Sequence, residues 1–312
     1  MSKAPALREV PDLPDEIVQA GLNGELVLFI GAGVSALLDL PTWRGLASHA
    51  LNQLRKKGLL NYSEVSQLEV LDPKKQLSIA SLIAKNNNYE LDLTSPFEGK
   101  NEGGSIYKPI NDIGCTCVTT NYDELLAPRF LDPKLKESGS VTPLLVNRIV
   151  DKERYLAGLL NEPGTVVHLH GAVSKPGTMV LTTKDYLEHY DHKNVQHFLG
   201  ELFAKKVVLF IGYGLEEAEI LEHILRRSSV DVTQDKRRFA LQGYFQSQEP
   251  LYGNLHQYYE KSFGVHLIGF VRDHKDHKQQ EAIIKAWLPQ LEINRPALAD
   301  EIEYMNEVLG DG

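Results

Sequence analysis

Short apolar runs and helix-period stripes alternate along the chain. Glu25–Ile30 and Lys206–Ile211 are nearly continuous runs of Val, Leu, Phe and Ile, each closed by a glycine. That pattern marks parallel strands covered on both faces. Ile113–Thr119, Thr165–Leu169, Arg238–Gly243 and Val265–Phe270 read as further strands. Between them, Trp43–Lys57 places Leu46, Ala47, Ala50, Leu51 and Leu54 on one helical stripe. Residues 58–95 look helical, with Leu77, Ile79, Ala80, Leu82 and Ile83 apolar. Shorter helices are expected over Pro14–Gly21, with Asp12 as its cap, after the glycine turn at 212–214, over Lys278–Leu288 and near 297–309. Residues 1–12 are proline-rich and expected to be loosely held, and residues 96–109 read as loop. Alternating strands and helices predict an α/β fold, a Rossmann-like and mostly parallel sheet with helices on both faces.

Composition narrows the function classes. A chain of 312 residues that is 42% hydrophobic has ample core for one large domain or two small ones. A net charge of −9 disfavours nucleic-acid binding by the bulk surface, which needs clustered Lys and Arg. No apolar run reaches the roughly 18 residues of a membrane span, and the first residues show no apolar signal region, so a cytoplasmic protein is expected. The two cysteines, Cys115 and Cys117, are too few for a zinc site of about four ligands and read as structural thiols. No metal is expected.

Chemistry gathers at the strand ends. Gly31-Ala32-Gly33-Val34-Ser35-Ala36 fits the G-x-G-x-x-A turn of dinucleotide-binding folds. In that reading Gly31 permits the tight turn, Gly33 lets a diphosphate approach the backbone, and a helix N-terminus offers N–H groups. A glycine turn without a ligand is the plainer alternative. Two departures speak against a hydride-transfer dehydrogenase. No acid or second strand lies about 20 residues on, and Pro41 interrupts the helix early, so the segment reads as a loop over the ligand. Thr119-Thr120-Asn121-Tyr122-Asp123 follows a second strand, where an Asx turn with Asp123 capping a helix is the bland reading. His168-Leu169-His170-Gly171 follows a third, where ideal alternation puts both histidines on one face. His170 suits acid–base work near neutral pH, and His168 suits buried support. Ile211-Gly212-Tyr213-Gly214 is a second glycine turn that either closes on a ribose or phosphate or only links strand to helix. Gly269 in the last strand is a weaker candidate for an adenine edge.

The order of these motifs, "GAGVS", "PTW", "TTNYD", "HLHG" and "IGYGLEE", resembles the sirtuin superfamily, most closely the bacterial SIR2-like branch associated with antiphage defence. The resemblance runs over roughly residues 20–290. It implies that Gly31, Ala32, Gly33 and Ser35 bind the NAD phosphates and that Pro41, Thr42 and Trp43 belong to a mobile cofactor loop. It implies that Asn121 sits beside the nicotinamide ribose with Asp123 supporting the pocket, that His170 is the general base, and that Gly212, Tyr213 and Gly214 lie against the cofactor. Residues 172–206 contain no cysteine, so the zinc module of protein-deacetylating sirtuins is missing. The loop reads P-T-W rather than P-D-F-R, and Asp39 stands where the family often has glycine.

With no zinc module to frame a peptide groove, water becomes the expected acceptor. The implied activity is NAD+ glycohydrolysis to nicotinamide and ADP-ribose, with NAD+ as substrate. A protein deacylase or ADP-ribosyltransferase, and a non-catalytic NAD or ADP-ribose sensor, are the alternatives. The resemblance also implies gating by homo-oligomer assembly or by a partner defence protein, a helicase-type ATPase or an Argonaute, since the chain has no room for a second large sensor domain. The expected division is an N-terminal extension over 1–20, an NAD-binding domain over 21–290 with a helical insertion at about 44–110, and a helical tail over 291–312. Residues 1–20 and 285–312 are candidate interaction surfaces.

Overall fold

The computed structural model describes residues 5–98, 106–128, 146–162, 164–215, 217–227 and 236–291. Its strands are β1 Leu26–Ile30, β2 Thr116–Thr119, β3 Asn147–Ile149, β4 Thr165–His168, β5 Val207–Ile211, β6 Arg238–Tyr244 and β7 Val265–Val271. They form one sheet in the order β3-β4-β2-β1-β5-β6-β7, and its pairings are parallel. The fold is α/β and Rossmann-like. Strand order reverses at β1, which lies between β2 and β5. In such sheets the crevice at the carboxyl ends beside the reversal is where ligands bind.

The helices are α1 Asp15–Leu22, α2 Ala32–Ala36, α3 Trp43–Lys56, α4 Tyr62–Leu68, α5 Pro73–Asn86, α6 Tyr107–Ile113, α7 Thr183–Tyr190, α8 Lys193–Lys205, α9 Ala218–Arg227, α10 Glu249–Phe263 and α11 Gln279–Leu291. Side-chain alternation along β1 sorts them into two layers. Val27 and Phe29 join the cluster containing Phe198 and Leu202 of α8 and Tyr252 of α10. Leu26, Leu28 and Ile30 join the cluster containing Ile17 of α1, Ile110 of α6 and Trp287 of α11. The helices between β1 and β2 carry a core of their own, in which Leu51 and Leu54 of α3 and Val65 of α4 meet Leu77 and Ala80 of α5. Local signals fix their starts. Thr42 caps α3 by accepting the Gly45 N–H, Asn61 and Glu64 form a reciprocal capping box on α4, and Asp72 caps α5 ahead of Pro73.

Several expectations are corrected. Ile113 ends helix α6 instead of opening a strand, and Tyr107–Pro109 belong to that helix rather than to a loop. Gly114 stops the helix in the left-handed region, and only then does the chain extend into β2. Asp12 does not cap α1, because it pairs with Arg8 at 2.5 Å and Pro14 holds the cap position without a side-chain bond. Residues 5–12 are not loose. Leu7 is buried, Arg8 bridges to Phe270, and Trp287 Nε1–H donates to the Pro11 carbonyl at 2.9 Å. The helix expected near 297–309 lies outside the described residues.

The two glycine turns meet backbone to backbone. Gly31 N–H donates to the Ile211 carbonyl at 2.9 Å and Gly33 N–H to the Gly212 carbonyl at 2.8 Å. A Cβ at Gly31 would stand 2.5 Å from the Gly212 oxygen, and one at Gly212 would stand 2.5 Å from the Val34 nitrogen. Gly212 also has φ 62°. Gly58 has φ 72° but open space around it. These two positions separate conformational strain from collision. Gly58→Ala should cost about 1 kcal/mol, the left-handed penalty alone. Gly212→Ala adds an unyielding backbone clash and should cost about 3 kcal/mol or more. Urea midpoints of the two variants check this, and equal losses would contradict it.

Candidate active site

The site begins with the register of β1 and β2. Ile30 pairs with Thr119, so both strands end level and their following residues share one crevice. The Thr119 hydroxyl donates to the Ile30 carbonyl at 2.8 Å and accepts the Asn121 N–H at 3.0 Å. That bracket turns the Asn121 side chain back over the first glycine turn. Its Nδ2 reaches the Gly31 carbonyl at 3.1 Å, Ser35 Oγ at 2.8 Å and the Tyr107 hydroxyl at 3.4 Å.

Proton counting orders this cluster. Ser35 donates its one hydroxyl proton to Asp123 Oδ2 at 2.6 Å, and Tyr107 donates its own to Asp123 Oδ1 at 3.1 Å. Asp123 also accepts the Leu125 N–H at 3.3 Å. The Asx half of the bland reading therefore holds, but the chain runs on without a helix through Pro128, and Asp123 caps none. Burial pushes the Asp123 carboxyl above its usual range, and these hydrogen bonds oppose the shift. Asn121, Asp123 and Ser35 are all buried, and Asn121 Oδ1 has no hydrogen-bond partner among the described residues. An unpaired acceptor at the head of a polar network is ready for a donor.

A narrow, nearly closed cleft of about 10 Å³ lies over this network, lined by Ala32, Ser35, Pro41, Thr42, Trp43, Leu46, Phe97 and Thr120–Asp123. Its floor is the first glycine turn. The loop expected over that turn is present, with a specific geometry. Helix α2 stops after five residues, and Asp39 has φ 57°, the left-handed conformation that favours glycine. Asp is among the few other residues that adopt it, so a site where glycine is common keeps its turn here. Thr42 then starts α3 and aims Trp43 inward. Gly33, expected to let a diphosphate approach the backbone, has its N–H committed to the Gly212 carbonyl in this conformation.

The two histidines do not share a face. β4 ends at His168, and a turn closed by the Gly171 N–H to the His168 carbonyl, with Gly171 at φ 77°, re-aims His170. His168 is fully buried. Its Nδ1–H donates to the Asn121 carbonyl at 3.1 Å, and its Nε2 accepts from Arg148 at 2.7 Å. Burial first, then the Arg148 cation, lowers it to about 4. It is a neutral strut under Asn121. His170, also fully buried, has its Nε2 2.9 Å from the Tyr190 hydroxyl and 3.6 Å from Glu217. Its Nδ1 is 3.4 Å from the Tyr186 hydroxyl. Burial holds His170 well below the usual histidine range.

His170 does not line the cleft. Trp43 stands between them, its ring 6.4 Å from His170, 5.4 Å from Tyr186 and 6.3 Å from Tyr122. Gly212 lies under the first turn and Tyr213 stacks on Phe210 at 5.5 Å, so both pack the sheet end, while Gly214 is exposed. Gly269 sits against Leu7 and Tyr252, remote from the cleft lining. No spacing or motif in the sequence marks Tyr107, Tyr186 or Tyr190. Only Glu217 had a local signal, its place just after the second glycine turn. Among the described residues no group of three metal-ligating side chains comes together, and no helix is long and apolar enough to cross a membrane.

Comparison with known proteins follows the same geography. A SIR2-like domain family matches residues 116–268, from β2 into β7. The chain is 27% identical over 213 residues to Defense-associated sirtuin 2 of Bacillus subtilis, a match covering 66% of this chain and 19% of that protein. It is 28% identical over 235 residues to NAD(+) hydrolase ThsA of Cytobacillus dafuensis, covering 71% of this chain and 42% of the relative. The chain thus matches less than half the length of either relative.

The neutral histidine strut carries a pH signature. An unfolded chain protonates His168 near 6.5, and the folded one only near 4. The unfolded state binds more protons in that window, so stability falls as pH drops from about 6.5 towards 4. Urea midpoints across this range should show a shallower fall in His168→Gln than in the wild type. Equal slopes would contradict the assignment.

Proposed function

The chain carries a SIR2-like domain, and from that premise we propose that it hydrolyses NAD+ to nicotinamide and ADP-ribose. The observation that carries this reading is the Asn121 cluster. An amide from the end of β2 lies on the first glycine turn, its Oδ1 buried and unpaired, at the wall of the cleft. His170 stands one strand further along the same sheet edge. The relative named NAD(+) hydrolase and the SIR2-like match point to the same substrate.

The cleft tests the fit of a dinucleotide. Its lining holds the hydroxyls of Ser35, Thr42 and Thr120, the Asn121 amide, the Asp123 carboxyl and three aromatic rings, Trp43, Phe97 and Tyr122, but neither Lys nor Arg. With the Ser35 proton given to Asp123 and the Gly31 and Gly33 N–H groups given to the second turn, a diphosphate would be held by the Thr42 and Thr120 hydroxyls and by the remaining main-chain N–H groups of the helix start. A whole dinucleotide exceeds the cleft, so binding requires the segment of Pro41, Thr42 and Trp43 to swing, which also uncovers His170.

Loss of nicotinamide leaves positive charge at the anomeric carbon. Asn121 Oδ1 is an acceptor suited to hold a ribose hydroxyl or the attacking water. His170, neutral because burial disfavours its charged form, accepts the water proton. Asp123 acts at one remove, tying Ser35 and Tyr107 so that the Asn121 amide keeps its direction. The absence of cysteine over 172–206 leaves no zinc module to frame a peptide groove, which favours water as the acceptor. The name of the Bacillus subtilis relative supports a setting in antiphage defence. In that setting the proposed activity would be gated by self-assembly or a partner protein, and the position of Trp43 between the cleft and His170 suits such gating.

Purified protein incubated with NAD+, alone and with candidate activators, should release nicotinamide. Asn121→Ala and His170→Ala should each lower kcat by about 10²-fold or more. Undiminished turnover in both variants would overturn the site assignment.

A further inference from the structure

We infer that Glu217 is the positioning residue for His170: through the Tyr190 hydroxyl it fixes the imidazole proton on Nε2 and leaves Nδ1 as the basic nitrogen. The inference rests on the reading of His170 as the base in NAD+ hydrolysis, and it adds a residue to that site.

The geometry is a chain of three groups. Tyr190 has one hydroxyl proton, and the Glu217 Oε2 at 3.4 Å is its acceptor. With that proton committed, the same oxygen can only accept from His170, so the Nε2 at 2.9 Å carries hydrogen. The Tyr186 hydroxyl, 3.4 Å from Nδ1, is placed to donate to a lone pair there, which agrees with the same tautomer. Glu217 Oε2 also lies 3.6 Å from Nε2 directly, near enough to compensate an imidazolium.

The groups around the pair come from several elements. Tyr186 and Tyr190 of α7, Tyr213 before α9 and Tyr122 after β2 face Glu217, with Lys74 of α5 and Glu219 of α9 as the nearby charges. His189 of α7 lies 6.1 Å from the His170 ring, and His223 of α9 lies 6.3 Å from Tyr190. Burial raises Glu217 to about 7, against the opposing pull of Lys74. The carboxylate, which the chain requires, therefore forms as pH rises through about 7.

In the reaction, the bond from the anomeric carbon to nicotinamide breaks and its electron pair leaves with neutral nicotinamide. The water oxygen bonds to that carbon, and the water proton passes to the Tyr186 hydroxyl as that hydroxyl passes its own proton to Nδ1. His170 becomes an imidazolium that keeps its Nε2 hydrogen, beside the Glu217 carboxylate, and later returns the added proton to solvent.

The test has two arms on the full chain. In the first, kcat and KM for NAD+ are measured from pH 5.5 to 9 in the wild type, Glu217→Gln and Glu217→Asp. Wild-type kcat should rise through about pH 7. Glu217→Gln should lose that rise and fall about 10–100-fold at pH 8 with KM within about twofold, while Glu217→Asp recovers part of kcat and the pH rise. In the second arm, nitrogen chemical shifts of labelled histidine, with His170 assigned by its loss in His170→Ala, should report the Nε2–H tautomer at pH 8. Tyr190→Phe should shift that ring towards a mixed tautomer. Wild-type kcat and pH rise in Glu217→Gln, or an Nδ1–H tautomer in the wild type, would overturn the inference. No turnover in the wild type would defeat the hydrolase reading alone, and the nitrogen shifts would then decide this one.

Discussion

Everything at the carboxyl edge of the sheet depends on two turns touching without side chains. Gly31 and Gly33 after β1 pack against Gly212 after β5, and each contact is main chain on main chain. A single methyl group would separate the strand ends by more than the β1–β5 ladder tolerates. Because the turns interlock, Ser35 comes to rest beside the end of β2, and the strand register brings Asn121 to meet it. Glycine is required here first by the protein's own backbone.

The polar cluster above that contact is arranged by proton supply. Two hydroxyls give their protons to one carboxylate, which leaves their oxygens to receive the Asn121 amide. The opposite end of that amide remains unpaired, so the network has a direction and terminates at the cleft. On the other side of Trp43, a second set of groups is equally buried but built around an imidazole. In both sets desolvation outweighs pairing, and the groups concerned are held towards neutrality. A cleft without formal positive charge on its lining suits a reaction in which positive charge must develop on the substrate.

The sheet was legible because apolar strands ending in glycine or a polar motif leave a strong local mark. β1, β5, β6 and β7 stand within a residue or two of where the pattern put them. β3 was not legible, since Asn147–Ile149 is three residues long with two polar ones. The candidate site was half legible. Asn121, Ser35 and the Pro41–Trp43 loop announce themselves by spacing, and the structure brings them to one cleft. Tyr107 reaches Ser35 across 72 positions of sequence, and Tyr190 reaches Glu217 across 27, with no periodicity to connect either pair. The shared face expected of His168 and His170 failed for a local reason, because alternation holds only while the strand lasts, and β4 stops at His168 before the turn that Gly171 closes.

Lys74 gives the helices between β1 and β2 a mechanical meaning. Its ammonium lies 3.9 Å from the Tyr186 ring centroid and 2.8 Å from Glu219, so one side chain of α5 grips both α7 and α9. α7 carries the tyrosines around His170, and α9 follows directly on Glu217. The same ammonium is among the charges that hold His170 below its usual range, so the helices between β1 and β2 set part of the field at the imidazole as well as holding its neighbours in place.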